Sequence, residues 1–276
     1  MKPMDFRSRW VLVTGASSGL GREMALQLAL RHGANLILAA RRLDRLQEIE
    51  HQITSESPDC GAVCIQADLS QEQDRQKLFE QAIDGRDIYG VILNAGITYF
   101  GPHLDLPWEQ FEKLLDTNVV SNVRLTNLFL PYLIEKDQGG GLMLVTSLTG
   151  MIPAPFQTAY SASKAFLTTF GRGLYHELRQ QKKTNVSVTT FVPGGIMTEM
   201  TETSGLSKSW STESIQIQCV DDCACEGLGA FAARRYLAVP GVFNRVQLLF
   251  SPLVSRRFLG NRMAAVFDKA LRADEE

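Results

Sequence analysis

The chain predicts an α/β protein built on a doubly wound parallel sheet, and three observations carry that expectation. Across roughly the first 200 residues, short apolar runs alternate with longer stretches of helical periodicity, the pattern of successive βαβ units. Several of these runs are apolar at nearly every position, as in Val11-Leu12-Val13, which is what a strand covered on both faces requires. A glycine-rich turn from Thr14 to Gly21 lies directly between the first run and the first helical pattern. Right-handed crossovers then lead to a doubly wound topology.

Residues 11–13 form the first predicted strand. A helix over residues 20–32 follows, with Met24, Ala25, Leu28 and Ala29 at helical spacing and Gly33 as a suitable C-cap. Asn35–Ala40 is the next strand, and residues 43–53 the next helix, with Leu46, Ile49 and Ile53 on one face. Four more strands are predicted at residues 62–67, 91–93, 142–146 and 186–192, separated by helical stretches at Glu72–Ile83, 108–134 and Thr158–Gln180. Gly139-Gly140-Gly141 is a loop before a strand and not a phosphate cradle, because no helix follows it directly. No repeat and no Pro/Ser-rich linker divides the 276 residues, so one domain spanning residues 1–276 is expected, within the size that single α/β sheets reach.

Composition narrows the function classes. With 45% apolar, 21% charged and 8% aromatic residues, the chain can bury about 75% of its unfolded surface, and disordered, collagen-like and disulfide-scaffold classes are excluded. Lys+Arg 28 against Asp+Glu 30 gives a net charge of −2, so no basic field attracts nucleic acid. Five cysteines are an odd number, and the opening MKPMDFRSRW holds no long apolar segment; the expectation is a reducing, cytoplasmic compartment. No run approaches the ~18 uninterrupted apolar residues of a membrane span.

The predicted strand ends collect the candidate cofactor residues. In Thr14-Gly15-Ala16-Ser17-Ser18-Gly19-Leu20-Gly21 the glycines let the backbone turn and approach a pyrophosphate, while the following helix supplies N–H donors. The spacing is G-x-x-x-G-x-G, a variant of the dinucleotide fingerprint. An NAD site wants a carboxylate about 20 residues further on; Arg41 and Arg42 stand there instead, suited to bidentate contact with a 2′-phosphate. NADP(H) is therefore expected over NAD(H), the alternative being a solvated arginine pair at a helix start. Asp68-Leu69 and Asn94-Ala95-Gly96 close the third and fourth strands, where open α/β sheets bind ligands. Asp68 can accept from an adenine amino group and Asn94 can tie neighbouring loops, although either can instead cap a turn.

TGASSGLG, the NAG triplet, and Ser147 thirteen residues before Y-S-A-S-K at 160–164 together resemble the short-chain dehydrogenase/reductase family. The match runs from about Trp10 to Thr198 in order and spacing. It implies one Rossmann-type domain with a seven-stranded parallel sheet, the last strand near residues 239–243, and association into a homodimer or homotetramer through the helices at 108–134 and Thr158–Gln180. It also implies that Asn118, in D-T-N-V, positions a water near the lysine. Pro193-Gly194 with Ile196 and Thr198 resembles the family's P-G-x-x-x-T, which meets the nicotinamide carboxamide. Ser18 departs from the family, since many NADP-using members carry a basic residue at that place.

Tyr160 and Lys164 lie four residues apart and share a helix face. A phenol with pKa ~10 exchanges protons poorly at neutral pH until a nearby cation lowers it, and Lys164 is the expected cation. Tyr160 would protonate the carbonyl oxygen in reduction or accept the alcohol proton in oxidation, with Ser147 donating to the same oxygen. The expected function is NADP(H)-dependent interconversion of a ketone or aldehyde and an alcohol, on an apolar small molecule flanked by Phe100, Ile152, Phe156, Met197 and Met200. An NAD(H)-dependent enzyme of the same fold is the first alternative.

Three segments fall outside that core reading. Residues 194–217, Ser/Thr-rich beyond Met200, are expected to form a substrate lid. The extension at 239–276 interleaves apolar residues with Arg245, Arg256, Arg257 and Arg262. It reads either as terminal helices packing on the body or lining the substrate cleft, or as a peripheral membrane or partner contact, and in the latter case a non-catalytic dinucleotide sensor is the second alternative. Cys219, Cys223 and Cys225 lack the paired spacing of zinc sites, so they are read as packing on a helix beginning at Val220, and no metal is expected.

Overall fold

The computed structural model describes residues 1–205 and 217–272. Strand β1 (Trp10–Thr14) leads into helix α1 (Gly19–His32), followed by β2 (Asn35–Ala40), α2 (Leu43–Glu56), β3 (Ala62–Gln66), α3 (Glu72–Ile83) and β4 (Ile88–Leu93). Gly33 caps α1 in the left-handed conformation, φ 65°, its N–H bonded to Ala29 O, as its position after the apolar period predicts. A long helical path then runs through α4 (Trp108–Leu115), a π-helical turn at Asp116–Val120, and α5 (Ser121–Lys136). The predicted helix at 108–134 is therefore continuous in direction, but Asn118 sits on a π-turn rather than on regular α-helix. After it come β5 (Gly141–Val145), α6 (Thr158–Gln180), β6 (Ser187–Phe191), β7 (Gly195–Ile196), α7 (Glu199–Thr203), β8 (Ile217–Gln218), α8 (Val220–Ala232), β9 (Leu237–Ala238), α9 (Val242–Phe250) and α10 (Arg256–Arg272).

Seven strands form one sheet in the order β3-β2-β1-β4-β5-β6-β9, and all its pairings are parallel. The chain winds outward from β1 to β3, then crosses back to β4 on the other side of β1, so the loops leaving β1 and β4 diverge and open a crevice at their carboxyl ends. Both faces are covered. Val11, Val13, Leu36 and Leu38 pack with Met24, Leu28 and Phe231 on one side, while Leu12, Ile37, Val91 and Leu142 pack with Leu78, Phe129 and Leu133 on the other. Burial on two faces is why these strands read as unbroken apolar runs.

The final strand departs from its expected place. It is β9, two residues long, at Leu237–Ala238, and residues 242–250 are helix. Pro240 lacks the N–H that a ladder needs, and Val242, Val246, Leu249 and Phe250 recur at helical rather than alternating spacing. The lid expectation at 194–217 falls in part outside the described residues, since 206–216 are not among them; its described part is β7, α7 and Ile217. Cys223 and Cys225 lie on α8 and Cys219 precedes it as the N-cap. Burial pushes the Cys223 thiol up to about 12, and among the described residues no group of His, Cys, Asp and Glu side chains could hold a metal ion.

Candidate active site

A cleft of about 440 Å³ opens at the carboxyl ends of the strands, running from Ser17 and Arg42 past Asn94 to Ser147 and Tyr160. Its floor at one end is the turn after β1. Gly15 adopts φ 66°, and a Cβ there would stand 2.9 Å from the Ala95 Cα, while one on Gly21 would collide with the Gly15 carbonyl oxygen. Only glycines allow the β1 and β4 loops to close on each other in this way. Asn94 fixes the same contact, its Nδ2 donating to the carbonyls of Thr14 (3.0 Å) and Gly15 (3.4 Å). Thr14 Oγ1 in turn accepts from the N–H groups of Asn94 and Ala95.

This end suits a dinucleotide. Ser18, the N-cap of α1, makes no side-chain capping bond, and the first turn holds no acidic residue, so the N-terminal amides and the positive end of the helix dipole are left for an anion. Leu20, Arg41, Arg42, Asp68, Leu69 and Ala95 line the cleft around it. The Asp68 carboxylate accepts from the Ser70 N–H (3.0 Å) and hydroxyl (2.8 Å) through one oxygen. It therefore turns the chain as well as facing the cleft, and it is held below the usual carboxylate range against its burial by those bonds and by the charges of Lys113 and Arg41.

At the other end α6 presents Tyr160 and Lys164 on one face, the ammonium 5.7 Å from the centre of the phenol ring. Lys164 is buried, and its Nζ donates to the Val145 carbonyl at 3.0 Å. Burial lowers its pKa to about 8. Burial also pushes the Tyr160 hydroxyl up to about 12, opposed by its hydrogen bond with Ser147. The expectation that the lysine would lower the phenol is thus corrected: the desolvation of a closely surrounded phenolate outweighs an ammonium turned toward a backbone carbonyl. Ser147 caps the turn at Leu148–Gly150, accepting from the Thr149 N–H and from its Oγ1 at 2.9 Å.

Asn118 is fully buried and braces the site from behind without lining the cleft. Its Oδ1 accepts from the Ile97 N–H (2.8 Å), and its Nδ2 donates to the Ile97 carbonyl (2.9 Å) and to Ser163 Oγ (3.0 Å). A Cβ on Gly96 would lie 3.3 Å from both Asn118 Oδ1 and Lys164 Nζ, so a side chain there would crowd the lysine. Pro193, Gly194, Ile196 and Thr198 line the cleft on its far wall.

Of the apolar residues expected at the substrate end, Ile152 and Met200 line the cleft. Phe100 and Phe156 pack instead with Ala154, Met263 and Phe267, and Met197 is not part of the lining. As the terminal-helix reading of the C-terminal extension expects, α9 and α10 complete the wall, through Asn244, Gln247, Met263, Val266 and Phe267, none of which its sequence pattern singles out. Sequence reasoning missed Thr149, Ser163 and Glu199. Ser163 stood inside the quoted Y-S-A-S-K and was the readable one.

The family model described as short chain dehydrogenase matches residues 9–208. An oxidoreductase of Myxococcus xanthus is 36% identical over 219 residues, 78% of this chain and 81% of that protein. A very-long-chain 3-oxoacyl-CoA reductase of Anas platyrhynchos is 32% identical over 199 residues, and the match spans 71% of this chain but 62% of the reductase. Among solved structures, a short-chain dehydrogenase from Sphingobium yanoikuyae in complex with NADPH superposes with a TM-score of 0.77 at 26% identity, covering 89% of this chain and 93% of that one.

Proposed function

The chain belongs to the short-chain dehydrogenase family, an oxidoreductase family, and from that premise we propose that it reduces an extended, apolar ketone with NADPH, reversibly. The observation that carries this reading is the convergence of Ser147, Tyr160 and Lys164 on one cleft with the glycine turn and Arg41–Arg42 at its other end. When bound, the nicotinamide supplies or accepts the hydride; the protein's own groups handle the oxygen. Ser147 Oγ and the Tyr160 hydroxyl stand together to donate to a carbonyl oxygen. Tyr160, protonated throughout the working pH range at about 12, gives up its proton as the oxygen gains charge. Lys164 holds a positive charge beside the developing phenolate, and Asn118 keeps the Gly96–Ile97 loop in register with Lys164. The cleft wall of Ile152, Met200, Met263 and Phe267 supports an apolar substrate, as does the similarity to the Anas platyrhynchos reductase.

The NADP(H) preference rests on Arg41 and Arg42 with the Ser17 and Ser18 hydroxyls, and on the NADPH carried by the Sphingobium yanoikuyae relative. Arg41→Ala is expected to weaken NADPH by about 1.5–3 kcal/mol and to leave NADH nearly unchanged, read as dissociation constants by calorimetry. Equal losses for both dinucleotides would remove the phosphate assignment. A cytoplasmic location and a homodimer or homotetramer joined through the 108–134 stretch (α4 and α5) and α6 belong to the same proposal; exposed Phe166, stacked on Phe170, supports the latter.

A second reading concerns the outer face of α9 and α10. Val242, Leu249 and Leu253 are 70%, 71% and 80% exposed, Arg256 and Arg257 follow them in the chain, and residues 227–267 contain no Asp or Glu. No helix among the described residues is long and apolar enough to cross a membrane. An apolar, basic face of this kind fits the surface of an anionic bilayer. The protein is expected to sediment with phosphatidylcholine vesicles containing phosphatidylglycerol and not with phosphatidylcholine alone; remaining in the supernatant with both sinks this reading and leaves the enzyme reading intact.

A further inference from the structure

The Arg42 guanidinium assigned above to a 2′-phosphate is already engaged by an anion from the chain itself. Glu199, the first residue of α7, reaches back 157 residues to accept from Arg42 Nη1 at 2.6 Å and Nη2 at 2.8 Å, one carboxylate oxygen to each nitrogen. The same Nη2 lies 3.3 Å from Ser17 Oγ, and the Ser18 side chain also hydrogen-bonds the carboxylate. Arg42, Ser17 and Ser18 therefore form a built anion subsite whose occupant is Glu199. Arg42 first, then Ser18, holds that carboxyl down at about 2, so it is ionised at any working pH. The brace extends one residue further: a Cβ on Gly19 would touch the Thr198 Cβ and Cγ2 at 3.2 Å, so the start of α7 lies directly against the glycine turn.

The Glu199 carboxylate takes the Nη1–Nη2 edge of the Arg42 guanidinium, and Ser17 also stands at Nη2. A phosphate meeting that same edge must displace the carboxylate, because two anions held this close would repel each other. We propose that Glu199 is a specificity-determining residue that competes with the cofactor's 2′-phosphate for Arg42. A bound 2′-phosphate displaces the carboxylate and frees the start of α7, whereas the 2′-hydroxyl of NAD(H) leaves the ion pair closed. This rests on the NADP(H) reading above. It links the adenosine end of the cleft to its substrate end, because Thr198 and Met200, on either side of Glu199, both line the cleft. NADP(H) affinity is then reduced by the fraction of molecules in which the pair is closed.

The test is calorimetric titration of the full chain with NADPH, NADH, 2′,5′-ADP and 5′-AMP, comparing wild type with Glu199→Gln. The amide keeps the shape and loses the charge. With the competitor gone, NADPH and 2′,5′-ADP are expected to bind about fivefold more tightly, the upper range for a half-exposed ion pair, while NADH and 5′-AMP stay within about twofold. Glu199→Asp, too short to keep both bonds, is expected to move the same way and covers the case in which the amide variant folds poorly. If wild type prefers NADPH but neither variant tightens it, Glu199 is a structural brace and this inference alone falls. If wild type prefers NADH and Glu199→Gln weakens NADH, the carboxylate serves the 2′-hydroxyl, and the NADP(H) reading falls with it.

Discussion

Tyr160→Phe is expected to lower the turnover number for carbonyl reduction by about 10²–10⁴-fold, equivalent to roughly 3–5 kcal/mol of transition-state stabilisation, while NADPH binding is unchanged. The substitution removes one oxygen and nothing else. Lys164 keeps its bond to the Val145 carbonyl, Ser163 still bonds the backbone carbonyl of residue 160 at 2.6 Å, and the α6 face is preserved. Ser147 remains to polarise the substrate oxygen, held by Thr149, so a residual rate above the solution reaction is expected. Initial rates together with a calorimetric NADPH titration check both halves. Full turnover in the phenylalanine variant would remove the proton-transfer role, and would favour the alternative of an idle dinucleotide sensor.

The second large effect belongs to Lys164. Its buried ammonium has a pKa near 8, whereas Tyr160 at about 12 does not titrate in the accessible range. The lysine is charged below pH 8 and neutral above it. Reduction builds negative charge on the phenol oxygen, which the charged form stabilises. The ratio kcat/KM for reduction is therefore expected to be flat below about pH 8 and to fall about tenfold per pH unit above it. Lys164→Met should lower kcat/KM by about 10²-fold or more at pH 7, and the residual rate should lose the alkaline limb. A wild-type profile that stays flat through pH 10, or an unchanged limb in the methionine variant, contradicts this assignment.

Much of this was legible in the sequence for a physical reason: strands buried on both faces must be apolar throughout, and helices that cover them must repeat at 3.6 residues. Glu72–Ile83 and Thr158–Gln180 have the limits that their periodicity predicts. The glycine turn, the Asn94 loop, Ser147, Tyr160 and Lys164 fall on one cleft because strand ends in such a sheet share one edge. What could not be read depends on contacts without a local pattern. β9 has two residues and no period to display. The π-turn that carries Asn118 differs from α-helix by one hydrogen-bond step, which side-chain spacing does not reveal. The Arg42–Glu199 pair joins positions that only the folded β6–α7 connection brings together. Phe100 and Phe156 were apolar and near the site in sequence, yet Phe267, far along the chain, draws them away at 5.6 Å from the Phe100 ring. The Tyr160 hydroxyl stands above its ordinary range because of burial, and spacing gives proximity to the lysine but says nothing of burial.

Reduction of an apolar ketone by NADPH in this cleft, through Tyr160, is tested by following NADPH consumption by the purified chain across a panel of ketones. The panel should run from acetone through long-chain 3-oxoacyl thioesters to multi-ring ketones, with NADH and the Tyr160→Phe variant in parallel. NADPH consumption is expected to rise with the apolar size of the ketone, to be weaker with NADH, and to be lost in the variant. Consumption by NADH alone, or equal rates in wild type and variant, would contradict it.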